Sequence, residues 1–201
     1  MFRVYKREDE KWAKWLQDRL RWYKLPSKLC RQITRLPKKV WPVFRDNTDL
    51  DSGRLEENIR HELERSHYLI VICSPEAARS PWVGKEVKYF ATLHGADKII
   101  PFVVSGIPYS NDIETECIHE QIKAISQEEL LAINVREEGI GSFAMKKKRA
   151  FIRVVARLLD IKFNTLWQPY ERILRIRKWS TGIGVVFILI RFIHLVGLLP
   201  D

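Results

Sequence analysis

The chain has 201 residues, 46% of them hydrophobic and 11% aromatic. That excludes a disordered chain and leaves room for one ordinary domain plus an appendage. The net charge of +10 is unevenly placed: residues 1–145 hold 23 Lys+Arg against 22 Asp+Glu, whereas residues 146–201 hold 12 against 3. The basic excess therefore belongs to the tail, which argues against a nucleic-acid-binding domain, whose cations would spread over the folded surface.

In chain order, Met1 to Tyr5 reads as a short strand, too charged to open a signal peptide. From Asp9 to about Trp22, the apolar residues Trp12, Trp15, Leu16, Leu20 and Tyr23 recur at helical spacing, and Leu25-Pro26-Ser27 ends the helix. Val40-Trp41-Pro42-Val43-Phe44 reads as a strand whose proline suits a sheet edge. A polar loop from Arg45 to Gly53 leads into a helix over Arg54–Ser66, with Leu55, Ile59 and Leu63 on one stripe. Tyr68 to Cys73 is an uninterrupted apolar run, the mark of a strand covered on both faces. Ser74-Pro75 starts a helix that breaks near Ser80-Pro81 and resumes over Trp82–Leu93. Lys98–Val104 is another buried strand, Leu131–Val135 a weaker one, and the acidic stretch Ile107–Glu129 between them is irregular. Lys146–Ile161 is an amphipathic helix with Phe151, Val154, Val155, Leu158 and Leu159 inward.

Alternating strands and helices predict an α/β fold with a parallel sheet wrapped on both faces. In a flavodoxin-like three-layer sandwich with five strands in the order 2-1-3-4-5, the proline-bearing second strand is an edge. The three cysteines, Cys30, Cys73 and Cys117, have no disulfide or zinc spacing and read as reduced thiols. Asp46, Asp49 and Asp51 lack the glycine and terminal glutamate of a calcium loop, so no metal is expected.

The tail reads differently. Trp167–Trp179 is a helix rich in Arg172, Arg175, Arg177 and Lys178, and Thr181–Leu199 gives nineteen residues interrupted mainly by Arg191 and His194. About 20 apolar residues span a bilayer, and Arg191 would cost about 2.5–3.5 kcal/mol at its centre. The expectation is a domain over 1–161, a basic juxtamembrane neck over 162–180 and a C-terminal hydrophobic helix over 181–199 crossing the membrane. The positive neck would hold the domain in the cytoplasm.

Several stretches resemble, in order and spacing, the TIR (Toll/interleukin receptor) domain family in its bacterial, NAD-cleaving form. They are Val4-Tyr5-Lys6-Arg7-Glu8-Asp9 at the end of the first strand, Val43-Phe44-Arg45-Asp46 with the loop after it, and Tyr68–Ser74. Ser80-Pro81-Trp82-Val83-Gly84-Lys85-Glu86-Val87 is similar to the family's W-x-x-x-E helix, and Ile99-Ile100-Pro101-Phe102 to the following strand. Arg3, where an apolar residue is usual, and Leu55, where an animal member carries an aromatic, depart from the pattern.

The resemblance implies a hydrolase that takes NAD+ as substrate, needs no cofactor and cleaves the bond between nicotinamide and ribose. It assigns the catalytic role to Glu86, with Tyr5, Lys6, Arg7, Phe44, Asp46 and Trp82 against the substrate. The BB loop, Asp46-Asn47-Thr48-Asp49-Leu50-Asp51-Ser52-Gly53, would act as a flap. Without the resemblance, a helical Glu one turn after a Trp is ordinarily a solvated residue beside a core residue. Nicotinamide leaves as a neutral molecule from a cationic nitrogen, so the chemistry asks only for a carboxylate beside the oxocarbenium-like ribose. The implied partners are further copies of the TIR domain, with the membrane segment raising their local concentration. The rival reading is a non-enzymatic TIR scaffold in signal transduction, and a weaker one is a membrane-disrupting effector acting through the tail.

Overall fold

A computed structural model describes residues 2–5, 9–32, 52–125, 132–136 and 141–168. Its sheet has four described strands, β1 (Phe2–Val4), β2 (Leu69–Cys73), β3 (Ile99–Val103) and β4 (Ile133–Asn134), all parallel and adjacent in that order. They correspond to the first, third, fourth and fifth expected strands. The second, over Val40–Phe44, lies outside the described residues, so the fifth strand of the sandwich is not seen. β2 and β3 pair in full register from Leu69 opposite Ile99 to Cys73 opposite Val103, and every residue of both is buried. This double burial is why their sequences are continuous apolar runs rather than alternating ones.

Seven helices fill the connections among the described residues: α1 (Glu10–Trp22), α2 (Ser27–Gln32), α3 (Ser52–Glu64), α4 (Pro75–Ala78), α5 (Pro81–His94), α6 (Glu120–Ile125) and α7 (Phe143–Leu158). The sequence reading missed α2, because six residues are too short to display a helical period. α3 begins at Ser52, so Ser52 and Gly53 have helical backbone and do not extend the expected loop. The helical stretch after Ser74 breaks near Ser80-Pro81 as expected, giving two helices, since Pro81 cannot donate to the preceding turn and instead opens α5. Gly95 ends α5 at φ 86°, where its N–H donates to the Ala91 carbonyl.

Because strand side chains alternate in direction, Leu69, Val71 and Cys73 of β2 join Ile99 and Val103 of β3 in one core layer. Ile59 and Leu63 of α3, Val83, Val87 and Phe90 of α5, and Ile122 of α6 close it. α1 and α7 contribute nothing to that layer. They bury Leu16, Leu20, Val154 and Val155, and are joined by edge-on aromatic pairs of Phe151 with Trp15 and Tyr23 at 6.2 and 5.3 Å. Leu158 and Leu159, expected to face inward, are only half-buried; Ala150, Ile152 and Ala156 complete the buried face instead.

The chain divides into two compact units, residues 1–160 and 161–201. In the second, residues 163–168 are helical, Phe163 stacks on Trp167 at 5.7 Å, and Leu166 and Trp167 are buried. The expected single-pass membrane protein with a cytoplasmic domain is corrected: no helix among the described residues is long and apolar enough to cross a membrane. The segment 181–199 and the neck beyond residue 168 lie outside those residues. The expectation rested on the apolar length of 181–199 and the basic neck before it, which together do not establish a spanning helix.

Candidate functional site

Open parallel sheets bind ligands at the carboxyl ends of their strands. Here that edge is set by a side-chain clamp. After β1 the chain passes Tyr5, which is half-buried, and reaches Asp9, buried at the N-cap of α1. The Asp9 carboxylate does not cap its own helix. It accepts a hydrogen bond from the Ser74 hydroxyl at 2.5 Å, and Ser74 Oγ in turn accepts the Ala77 N–H at 3.1 Å. Ser74 thus caps α4 while tying the exit of β2 to that of β1, and it is wholly buried. Both residues lie in stretches noted in the sequence, but their pairing joins positions 65 apart and has no local signal.

The same edge is acidic around β2. Burial pushes the Cys73 thiol well above its ordinary value, the neighbouring Cys117 adds to that, and the carboxylates of Asp9 and Glu116 push in the same direction. The Phe102 backbone opposes them with a hydrogen bond.

Glu116 organises the irregular stretch after β3. Its Oε1 accepts the N–H groups of Tyr109 at 3.2 Å and Ile118 at 2.6 Å, and its Oε2 pairs with Lys123. These bonds hold Tyr109 at φ 56°, a left-handed conformation that a bulky residue does not adopt without compensation. The sequence showed these acidic residues only as part of an irregular stretch. The buried one among them carries the fold of the segment.

α5 brings in the residues of the W-x-x-x-E pattern. Glu86 lies in its second turn and is 8% exposed, among Val83, Gly84 and Val87, which are also buried. Trp82, one turn earlier, is 56% exposed, and the Lys85 ammonium sits over its indole at 4.9 Å. The two residues therefore occupy different environments. Trp82 is on the surface under a cation, not in the core. Tyr5 is at the carboxyl end of β1 as expected. Lys6, Arg7, Phe44, Asp46, Asn47, Thr48, Asp49, Leu50 and Asp51 lie outside the described residues. Among those described, no group of His, Cys, Asp and Glu is placed to hold a metal ion.

A segment of 65 residues, 32% of this chain, is 42% identical to the NAD(+) hydrolase ApTIR of Actinoplanes sp.. The match covers 9% of that much longer protein. The profile of the TIR domain family matches residues 2–138, an interval that includes β1, the Asp9–Ser74 clamp, α5 with Glu86, and β2 to β4. On that match, and on a parallel sheet of flavodoxin-like α/β type, this chain belongs to the TIR domain family.

Proposed function

We propose that the chain hydrolyses NAD+ at the nicotinamide–ribose bond, with Glu86 as the carboxylate that steadies the ribose cation. The observation that carries this reading is the burial of Glu86, 8% exposed on a helix following the carboxyl end of β2. A solvated surface glutamate would be screened too strongly to act on a developing charge. The similarity to a relative named as an NAD(+) hydrolase supports the same chemistry.

As the bond breaks, its electron pair leaves with nicotinamide, whose ring nitrogen becomes neutral and needs no proton. Positive charge grows on the ribose, where the Glu86 carboxylate opposes it; water then adds, releasing ADP-ribose and a proton. Tyr5, Lys6 and Arg7, at and after the end of β1, would meet the pyrophosphate, and Phe44 and Asp46 the remaining nucleotide. The clamp between Asp9 and Ser74 would keep the β1 and β2 edges together under that load. We assign self-association through the TIR domain as the event that closes the loop ahead of α3, residues 46–51, over the substrate.

The test is nicotinamide release from NAD+ by the full chain, concentrated or crowded, for wild type, Glu86→Ala and Glu86→Gln. Both variants are expected to lose activity by about 100-fold or more, since glutamine preserves size but not charge. Glu86→Gln turning over at the wild-type rate would reject the assignment.

The scaffold reading has one observation of its own, the exposed Trp82. Large exposed aromatics are the anchors that protein contacts bury. It predicts no NAD+ turnover in any assembled state, and self-association that Trp82→Ala weakens by tenfold or more.

A further inference from the structure

α5 contains a glycine, Gly84, at a point where helices do better with almost any other residue; glycine costs about 1 kcal/mol relative to alanine there. The reason is His119. A Cβ at Gly84 would stand 2.5 Å from His119 Cε1 and 2.8 Å from Nε2, so the imidazole edge rests directly on the helix backbone.

The ring is oriented through Nδ1. Nδ1 accepts the Gln121 N–H at 3.0 Å, and the His119 carbonyl accepts the N–H groups of Ile122 and Lys123, making His119 the cap of α6. A nitrogen that accepts from an amide carries no proton, so the proton is on Nε2. The Ser80 backbone lies near the ring, and its carbonyl accepts the Gly84 N–H that begins α5. One imidazole therefore touches the first turn of α5 and caps α6. Glu86 is two residues beyond Gly84.

We propose that His119 is a positioning residue for Glu86: held in a single tautomer between the starts of α5 and α6, it determines where α5 begins and so where that carboxylate stands. The catalytic meaning of this placement rests on the NAD+ reading; the placement does not. From α5 the ring faces the Ser80 carbonyl and the bare Gly84 backbone, and from α6 the Gln121 amide and the Glu120 carboxylate. A second ring proton would set Nδ1 against an amide donor. Burial opposes that protonation more strongly than the Ser80 and Glu120 contacts favour it.

The experiment follows the Glu86 carboxyl carbon by NMR titration, and nicotinamide release in parallel, for the full chain and for His119→Ala, His119→Asn, Gly84→Ala and the double variant. Removing the ring is expected to shift the Glu86 midpoint by half a unit or more and to lower kcat by about tenfold, with a smaller change in KM. Gly84→Ala, which displaces the ring, should do the same, and the double variant should be no worse than His119→Ala alone. His119→Asn, which retains an acceptor for the Gln121 amide, should recover α6 stability but not the Glu86 midpoint. An unchanged Glu86 midpoint in His119→Ala overturns the proposal, as does simple addition of the two single effects. Wild type without any NAD+ turnover would defeat the enzymatic reading alone, because the carboxyl titration still reports the placement.

Discussion

Ser74 performs two tasks with one oxygen, accepting the Ala77 amide and donating to the buried Asp9 carboxylate. Alanine at this position removes a helix cap, worth about 1 kcal/mol, and a charge-assisted hydrogen bond worth about 1.5–3 kcal/mol. The expected loss is about 2.5–4 kcal/mol, or roughly 5–16 °C in the thermal midpoint of a domain of this size. Calorimetry of Ser74→Ala checks it; Ser74→Thr should retain most of the stability. A surface variant such as Lys88→Ala, at an exposed position of α5, should move the midpoint by less than about 0.5 kcal/mol.

Between elements, the aromatic residues joining α1 to α7 are unequal in weight. Phe151 is 5% exposed and meets both Trp15 and Tyr23, whereas Phe143 is 54% exposed and touches Trp12 at 6.3 Å. Phe151→Ala should therefore cost about 3–5 kcal/mol and Phe143→Ala less than about 1 kcal/mol, by chemical denaturation. The α5–α6 junction adds a pH dependence. His119 is held below its ordinary value, mainly by burial, so the folded state binds fewer protons than the unfolded chain near pH 6. Its contribution is complete above the unfolded value of about 6.5 and is lost as pH falls through the folded one. Thermal midpoints of wild type should decline over that range, and His119→Asn should flatten this part of the curve.

For the whole molecule, the thiols offer a direct reading of cooperativity. Cys73 and Cys117 are each 1% exposed, on the β2 strand and just before α6, and burial holds the Cys73 thiol protonated; Cys30 is half-buried on α2. A thiol reagent should label Cys30 in the native protein. The other two should react only at the rate of global unfolding, since the layer that covers them includes β2, β3, α3 and α5. Fast labelling of Cys73 with the far-UV spectrum intact would show that α6 and the Glu116 loop open by themselves.

The sequence by itself determined the elements whose stability is local. Helical spacing from Trp12 to Tyr23, the apolar runs ending at Cys73 and at Val104, and the Ser-Pro pairs at 74–75 and 80–81 each announce their structure, because burial on both faces or a missing N–H leaves few alternatives. The W-x-x-x-E spacing identified α5 and its glutamate. Tertiary structure decided the rest: that Glu86 is buried while Trp82 is exposed beneath Lys85, that Asp9 serves Ser74 and not its own helix, and that Glu116 is the keystone of an acidic loop. These depend on which distant residue arrives beside them. Only the folded chain shows that the backbone at Gly84 is closely approached, and by His119.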